Sequence, residues 1–170
     1  GLRGIVMCSD PDSIGLPDLG DDAWTPFWEV CADQNMPVNF HIGASETAFN
    51  MFGRAAWPSM GMRRRLALGS AALFMENSRV IGNMLCSGVL HRFPTLKIVS
   101  VESGIGWIPY FLERIASLNE RHSPRTRWPL GRARPRDAFR RTSLSCSIDD
   151  PTALRNRDAP GTDTLHRSAH

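Results

Sequence analysis

Leu96-Lys97-Ile98-Val99-Ser100-Val101-Glu102-Ser103-Gly104-Ile105-Gly106 is the stretch that decides the fold. A short, largely apolar run of chain ends on a carboxylate, and a glycine-bearing turn follows at once. Ile108, Phe111, Leu112 and Ile115 then recur at helical spacing, with Pro109 in the first turn, where a missing N–H does no harm. The order is strand, tight turn, helix. A second such run, Pro37-Val38-Asn39-Phe40-His41-Ile42-Gly43, ends on a histidine and a glycine. A third, Ile5-Val6-Met7-Cys8, stops at the turn residues Ser9-Asp10-Pro11-Asp12.

Helical patterns separate these runs. Trp24, Phe27, Trp28 and Cys31 fall on one face and predict a helix over 21–35, with Pro26 in its first turn and Asp21 and Asp22 at its positive end. Residues 43–65 are rich in Gly, Ser and Met and predict a long connection. Leu66 to Leu90 predicts helix in two pieces, the second capped by Asn77, with Val80, Ile81, Met84 and Leu85 on its apolar face and Gly88 as a weak point near its end. Beyond Arg121 the pattern thins: a helical turn over 137–141, a strand over 143–148 and the start of a helix over 151–156. The chain therefore divides into well-patterned strand–helix units over 1–121 and an Arg/Pro-rich segment over 122–170.

Alternating strands and helices imply an α/β fold with a parallel sheet. Two closures satisfy that pattern, an open doubly wound sheet or part of an eight-stranded barrel. A complete barrel needs about 250 residues, and 170 residues supply four or five of its units.

Composition excludes several function classes. The chain is 42% hydrophobic and 22% charged, as globular proteins are. No stretch approaches the ~20 apolar residues of a membrane span, and Gly1-Leu2-Arg3-Gly4 is not expected to begin a signal peptide, because no apolar h-region follows. Cys8, Cys31, Cys86 and Cys146 are widely spaced and form no C-x-x-C pair, which argues for reduced thiols and a cytoplasmic setting. The net charge is +3 and nearly all the positive charge is Arg, dense between Arg121 and Arg141. Pro124, Pro129 and Pro135 break that run, and only Trp128 and Phe139 interleave it. It reads as a solvated loop rather than a nucleic-acid-binding surface.

The chemistry gathers at two strand ends, where parallel α/β folds place their sites. His41 is a good ligand type for zinc, manganese or iron, and Gly43 leaves room beside it. Glu102 is costly to bury unpaired and so requires a cation, hydrogen-bond donors or a metal. As ligand, base or anchor it would be functional; as an arginine partner it would be structural. Ser103-Gly104-Ile105-Gly106 has the outline of an anion-binding turn without the Lys of the strong motifs, and a tight βα turn explains it equally well. Asp10 before Pro11 reads as a turn starter. Ser45 lacks the surroundings of a hydrolase nucleophile, and His91, His122, His166 and His170 lie outside the patterned strand ends.

With these residues in view, 39–43 (Asn-Phe-His-Ile-Gly), 87–97 (Ser-Gly-Val-Leu-His-Arg-Phe-Pro-Thr-Leu-Lys) and 101–109 (Val-Glu-Ser-Gly-Ile-Gly-Trp-Ile-Pro) resemble the amidohydrolase-related family 2, the group similar to aminocarboxymuconate-semialdehyde decarboxylase. The resemblance is close from Gly4 to Arg121 and loose thereafter. It implies a (β/α)8 TIM barrel that holds a divalent metal, zinc with manganese as the alternative, at the carboxyl ends of its strands. Such sites take an H-x-H pair from the first strand, His from the fifth and often the sixth, and Asp from the eighth. On that pattern His41 matches the fifth-strand ligand, and Glu102 stands where many members place the sixth-strand His. Trp107 would wall the substrate pocket.

The departures are as specific as the matches. No H-x-H occurs in the chain, which reads as roughly strands 4 to 8 of the barrel. Asp163 falls before the eighth strand, and His170 stands near the position of the family's Asp without taking its role. The resemblance thus implies part of a metal-dependent hydrolase or decarboxylase for a small carboxylated or carbonyl substrate. The rival expectation is a truncated barrel without catalysis, whose open sheet edges favour a second copy of the chain.

Overall fold

The computed structural model describes residues 1–52, 57–122, 134–147, 150–151 and 165–167. Five parallel strands form one sheet in sequence order: β1 (Ile5–Val6), β2 (Val38–His41), β3 (Ile98–Val101), β4 (Ser143–Ser147) and β5 (Leu165–Arg167). A doubly wound sheet reverses its order at a switch point, whereas a barrel adds each strand beside the last. The unbroken order is that of barrel winding, in a small parallel sheet. The helices are α1 (Thr25–Asp33), α2 (Glu46–Phe52), α3 (Met62–Leu73), α4 (Ser78–Cys86), α5 (Val89–Arg92), α6 (Ile108–His122) and α7 (Pro135–Thr142).

The alternation within the strands sets the two faces. Val38, Phe40 and Ile98 point to the helices and are fully buried. There they meet Trp28 and Cys31 of α1, Val80, Ile81, Met84 and Leu85 of α4, Ile108, Leu112 and Ile115 of α6, and Phe139 of α7. Trp24, Phe27 and Trp28 pack edge to face or tilted, with centroids 5.0–6.5 Å apart. The other face carries Val6, Asn39 and Val99 in one register row and His41 and Val101 in the next. That face lacks a helical cover among the described residues: Val6 is 70% exposed and His41 is exposed.

Three expectations change. The connection over 43–65 contains α2, held by distant side chains that no local pattern announces. The helical stretch over 66–90 is three helices rather than two: α3 begins earlier, at Met62, and Gly88, at φ 82°, separates α4 from α5. Asn77 stands before α4 but does not cap it, because its side chain is spent elsewhere. The expected helix over 151–156 lies outside the described residues apart from Pro151. Most of the Arg-rich run, 123–133, lies outside them as well, as do Asp163 and His170.

Candidate functional site

β2 and β3 run side by side, with His41 opposite Val101 and Glu102 one residue further on. The last rung of their ladder is the Ile42 N–H to the Val101 carbonyl, at 3.2 Å. Beyond it Glu102 enters the left-handed region, at φ 59°. For a non-glycine residue that conformation is strained by about 1–3 kcal/mol and recurs at functional sites. Here the turn accompanies a close approach: Oε2 of Glu102 stands 3.2 Å from Nε2 of His41.

The protons on His41 follow from its other nitrogen. Nδ1 lies 2.6 Å from the Ile42 carbonyl oxygen, which can only accept, so Nδ1 donates. In a neutral ring Nε2 would then point a lone pair at a carboxylate oxygen. Two acceptors hold such a distance with a cation shared between them, either a second ring proton or a metal ion. Both side chains keep a path to solvent, with 46% of the His41 and 29% of the Glu102 side chain exposed.

The pair suits a divalent metal in donor type and spacing. Imidazole nitrogen and carboxylate oxygen are both zinc and manganese ligands. Two donors about 2.1 Å from one zinc at a tetrahedral angle stand about 3.4 Å apart, close to the 3.2 Å seen here. In number the pair falls short: no group of three or more metal-ligating side chains occurs among the described residues. His41 and Glu102 would be two corners of a metal site, and further ligands would come from outside the described residues.

The Ser103–Gly106 turn resolves in favour of structure. Asp150 accepts the backbone N–H groups of Ile105 and Gly106, each at 2.8 Å, so a carboxylate of the chain itself occupies the place an anion would take. Gly104, at φ 61°, lets that turn form. The Trp107 indole N–H donates to the Ser103 carbonyl at 2.8 Å, and its ring packs edge to face on Phe111. Trp107 thus braces the turn behind Glu102 while remaining partly exposed. His91 is exposed at the end of α5, away from the pair.

Local sequence missed a second polar layer beneath the pair. Asp10, 3% exposed, is more than a turn starter. It accepts from the N–H groups of Glu46 and Thr47 and from the Thr47 hydroxyl, and so fixes the start of α2. Burial alone would raise its pKa. The Thr47 hydroxyl, the Thr47 N–H and the Glu46 N–H outweigh that and hold it below the ordinary carboxylate value. Glu76, also 3% exposed, accepts from the Gly43 N–H at 3.0 Å and from the Ser45 hydroxyl. Its pKa is pushed up by burial first, partly offset by the Gly43 N–H, with the Asp10 charge adding to the rise and Arg79 opposing it. Asn77 lies beside it, fully buried. The available signal was a polar run, Glu76-Asn77-Ser78-Arg79, set between the apolar Phe74-Met75 and Val80-Ile81.

This chain belongs to the amidohydrolase-2 family, described as Amidohydrolase, which matches it over residues 1–159. No curated protein matches the chain. Among solved structures it is similar to 5-carboxyvanillate decarboxylase LigW from Sphingomonas paucimobilis, at 23% identity and a TM-score of 0.73, covering 98% of this chain and 47% of that one. It is similar to an amidohydrolase from Mycobacterium avium subsp. paratuberculosis K-10, at 22% identity and a TM-score of 0.65, covering 86% of this chain and 35% of that one. A third is dihydroxybenzoic acid decarboxylase from Polaromonas sp. JS666, with bound manganese and the inhibitor 2-nitroresorcinol, at 19% identity and a TM-score of 0.59, covering 92% and 46%. At these identities the likeness is one of fold. The chain spans less than half the length of each.

Proposed function

We propose that this chain forms one side of the active site of a metal-dependent carboxy-lyase or hydrolase, acting on a small carboxylated or carbonyl substrate. Its strands would be roughly the fourth to the eighth of a (β/α)8 barrel. The observation that carries the proposal is the 3.2 Å approach of His41 Nε2 and Glu102 Oε2 at the carboxyl ends of adjacent parallel strands. Family membership and the decarboxylases among its fold relatives agree with it.

His41 would hold the metal through Nε2, its ring fixed by the Nδ1–H bond to the Ile42 carbonyl. A bound divalent ion supplies a Lewis acid for substrate oxygens and lowers the pKa of a coordinated water to about 7. Glu102 would share the ion or move the proton. In hydrolysis it takes a proton from water; in decarboxylation it delivers one to the carbon that loses CO2. Its carboxylate is near enough to the ring for either duty and exposed enough to reach a substrate. Trp107 would wall the pocket with its exposed edge. Zinc and manganese both suit this donor pair, and Cys8, Cys31 and Cys86, which are free thiols, agree with a reducing, cytoplasmic setting.

The test is turnover by the purified chain with added zinc or manganese. Probe substrates are 5-carboxyvanillate and 2,6-dihydroxybenzoate for CO2 release, and simple esters and lactones for hydrolysis. Turnover that His41→Ala abolishes is the expected result. A metal content that His41→Ala leaves unchanged would sink the ligand assignment. One observation favours a second function, an inactive half-barrel that serves at most as an interaction module: two donors do not fill the four positions zinc normally takes. Absence of turnover with either metal would favour that alternative.

A further inference from the structure

We infer that the buried dipeptide Glu76-Asn77, at the entrance to α4, is the positioning element that holds His41 and Glu102 at their working separation. The inference rests on the proposed function for what is being positioned, and on hydrogen bonds alone for how.

The backbone ladder between β2 and β3 ends at Ile42 and Val101, and past it both chains turn, at Gly43 and Glu102, each with positive φ. Asn77 ties the Phe40–Ser100 rung just before that end, and Glu76 holds Gly43 just past it. Asn77 Nδ2 donates to the Phe40 carbonyl at 2.7 Å, one residue before His41. The same amide donates to Ser100 Oγ at 3.1 Å, two residues before Glu102. Ser100 Oγ in turn hydrogen-bonds Ser103 Oγ, one residue after Glu102. Glu76 accepts the Gly43 N–H at 3.0 Å, two residues after His41. The dipeptide therefore anchors the chain on both sides of His41 directly, and on the two sides of Glu102 through Ser100.

The composition of that clamp argues against mere packing. Asn77, Ser100 and Ser103 are each 2% exposed or less, and Glu76 is 3% exposed, in a layer where apolar side chains would fill the space without the cost of burying polar groups. The Asn77 amide donates twice into this layer, while its Oδ1 has no partner among the described residues; buried donors committed in this way favour one geometry. Groups hydrogen-bonded to a metal ligand typically change metal affinity by about 10–100-fold when removed, which sets the upper scale for residues that hold the ligand's neighbouring backbone. Glu76 and Asn77 act here through the backbone of Gly43 and Phe40 and the Ser100 hydroxyl, so each is a positioning residue.

The experiment compares Glu76→Ala, Glu76→Gln and Ser100→Ala with wild type in the full chain. Three readouts are taken: melting temperature, the His41 tautomer from long-range 1H–15N spectra of the metal-free protein, and Mn2+ affinity by electron paramagnetic resonance. Wild type should show a proton held on His41 Nδ1. Glu76→Ala should mix the tautomers and weaken Mn2+ binding about tenfold, and Glu76→Gln, which keeps an acceptor for the Gly43 N–H, should restore both. Ser100→Ala removes one atom and cuts the Asn77 link to β3 together with the hydroxyl bond to Ser103, so it tests the β3 half of the clamp even if Glu76→Ala does not fold; it should weaken Mn2+ binding without altering the tautomer. A folded Glu76→Ala that melts earlier yet keeps the wild-type tautomer and Mn2+ affinity would overturn the inference, as would a folded Ser100→Ala with unchanged affinity where Glu76→Ala is unfolded. If wild type binds no Mn2+, the functional proposal fails, and the tautomer comparison still decides the clamp.

Discussion

Asp10 shows how a single side chain can organise residues far away in sequence. Its carboxylate satisfies two N–H groups and a hydroxyl at the start of α2, some 36 residues on. Its folded pKa lies below the ordinary value, so the stabilisation is complete above about pH 4 and is lost as pH falls through the folded value. Asp10→Asn should cost about 1–3 kcal/mol at neutral pH. Urea titrations should also show wild type losing more stability than the variant below pH 4. Parallel pH curves for the two would contradict the assignment. His41 and Glu102 were legible in the sequence because each ends an apolar run, and a strand end is visible locally. Asp10, Glu76, Asn77 and Asp150 were not, because their partners lie 23–45 residues away. No periodicity reports a contact of that length.

Among the elements, β2, β3, α1, α4 and α6 followed from hydrophobic spacing because each buries one continuous face in the same core. The helix α2 did not, because it is short and lies in a stretch rich in Gly, Ser and Met, where its start is set by Asp10 and by Ser45, whose hydroxyl accepts the Ala48 N–H. Two substitutions test the packing. Leu85→Ala in α4 removes a fully buried side chain and should cost about 2–5 kcal/mol, measured by denaturant midpoint. Gly20→Ala would place a methyl 2.4 Å from Ser87 Cβ and 2.8 Å from Asn83 Oδ1. It should destabilise by about 1–3 kcal/mol through overpacking against α4. A neutral Gly20→Ala would mean that the loop before α1 does not sit on α4.

At the scale of the whole molecule, the two faces of the sheet are unequal. One is covered by helices and dry. The other carries Val6, Val99 and Val101 beside Asn39 and His41, with no helix over it among the described residues. No described helix is long and apolar enough to cross a membrane. An uncovered face of this kind among the described residues, with strand edges at both ends, would favour pairing with a second copy of the chain. We expect sedimentation velocity to show self-association that grows with concentration, and Val6→Lys together with Val99→Thr to suppress it. A monomer at every concentration would contradict that expectation. The sequential strand order, which separates barrel winding from a doubly wound sheet, was beyond the sequence, because alternation of strands and helices is common to both.

The account depends most on the corner formed by His41 and Glu102, and paramagnetic broadening by Mn2+ tests it directly. The chain has five histidines. Titrated with Mn2+, the ring signals of His41 should broaden first and furthest, and Glu102→Gln should blunt that response while leaving His91, His122, His166 and His170 as they were. Equal broadening of all five rings, or a His41 response indifferent to Glu102→Gln, would contradict the shared site.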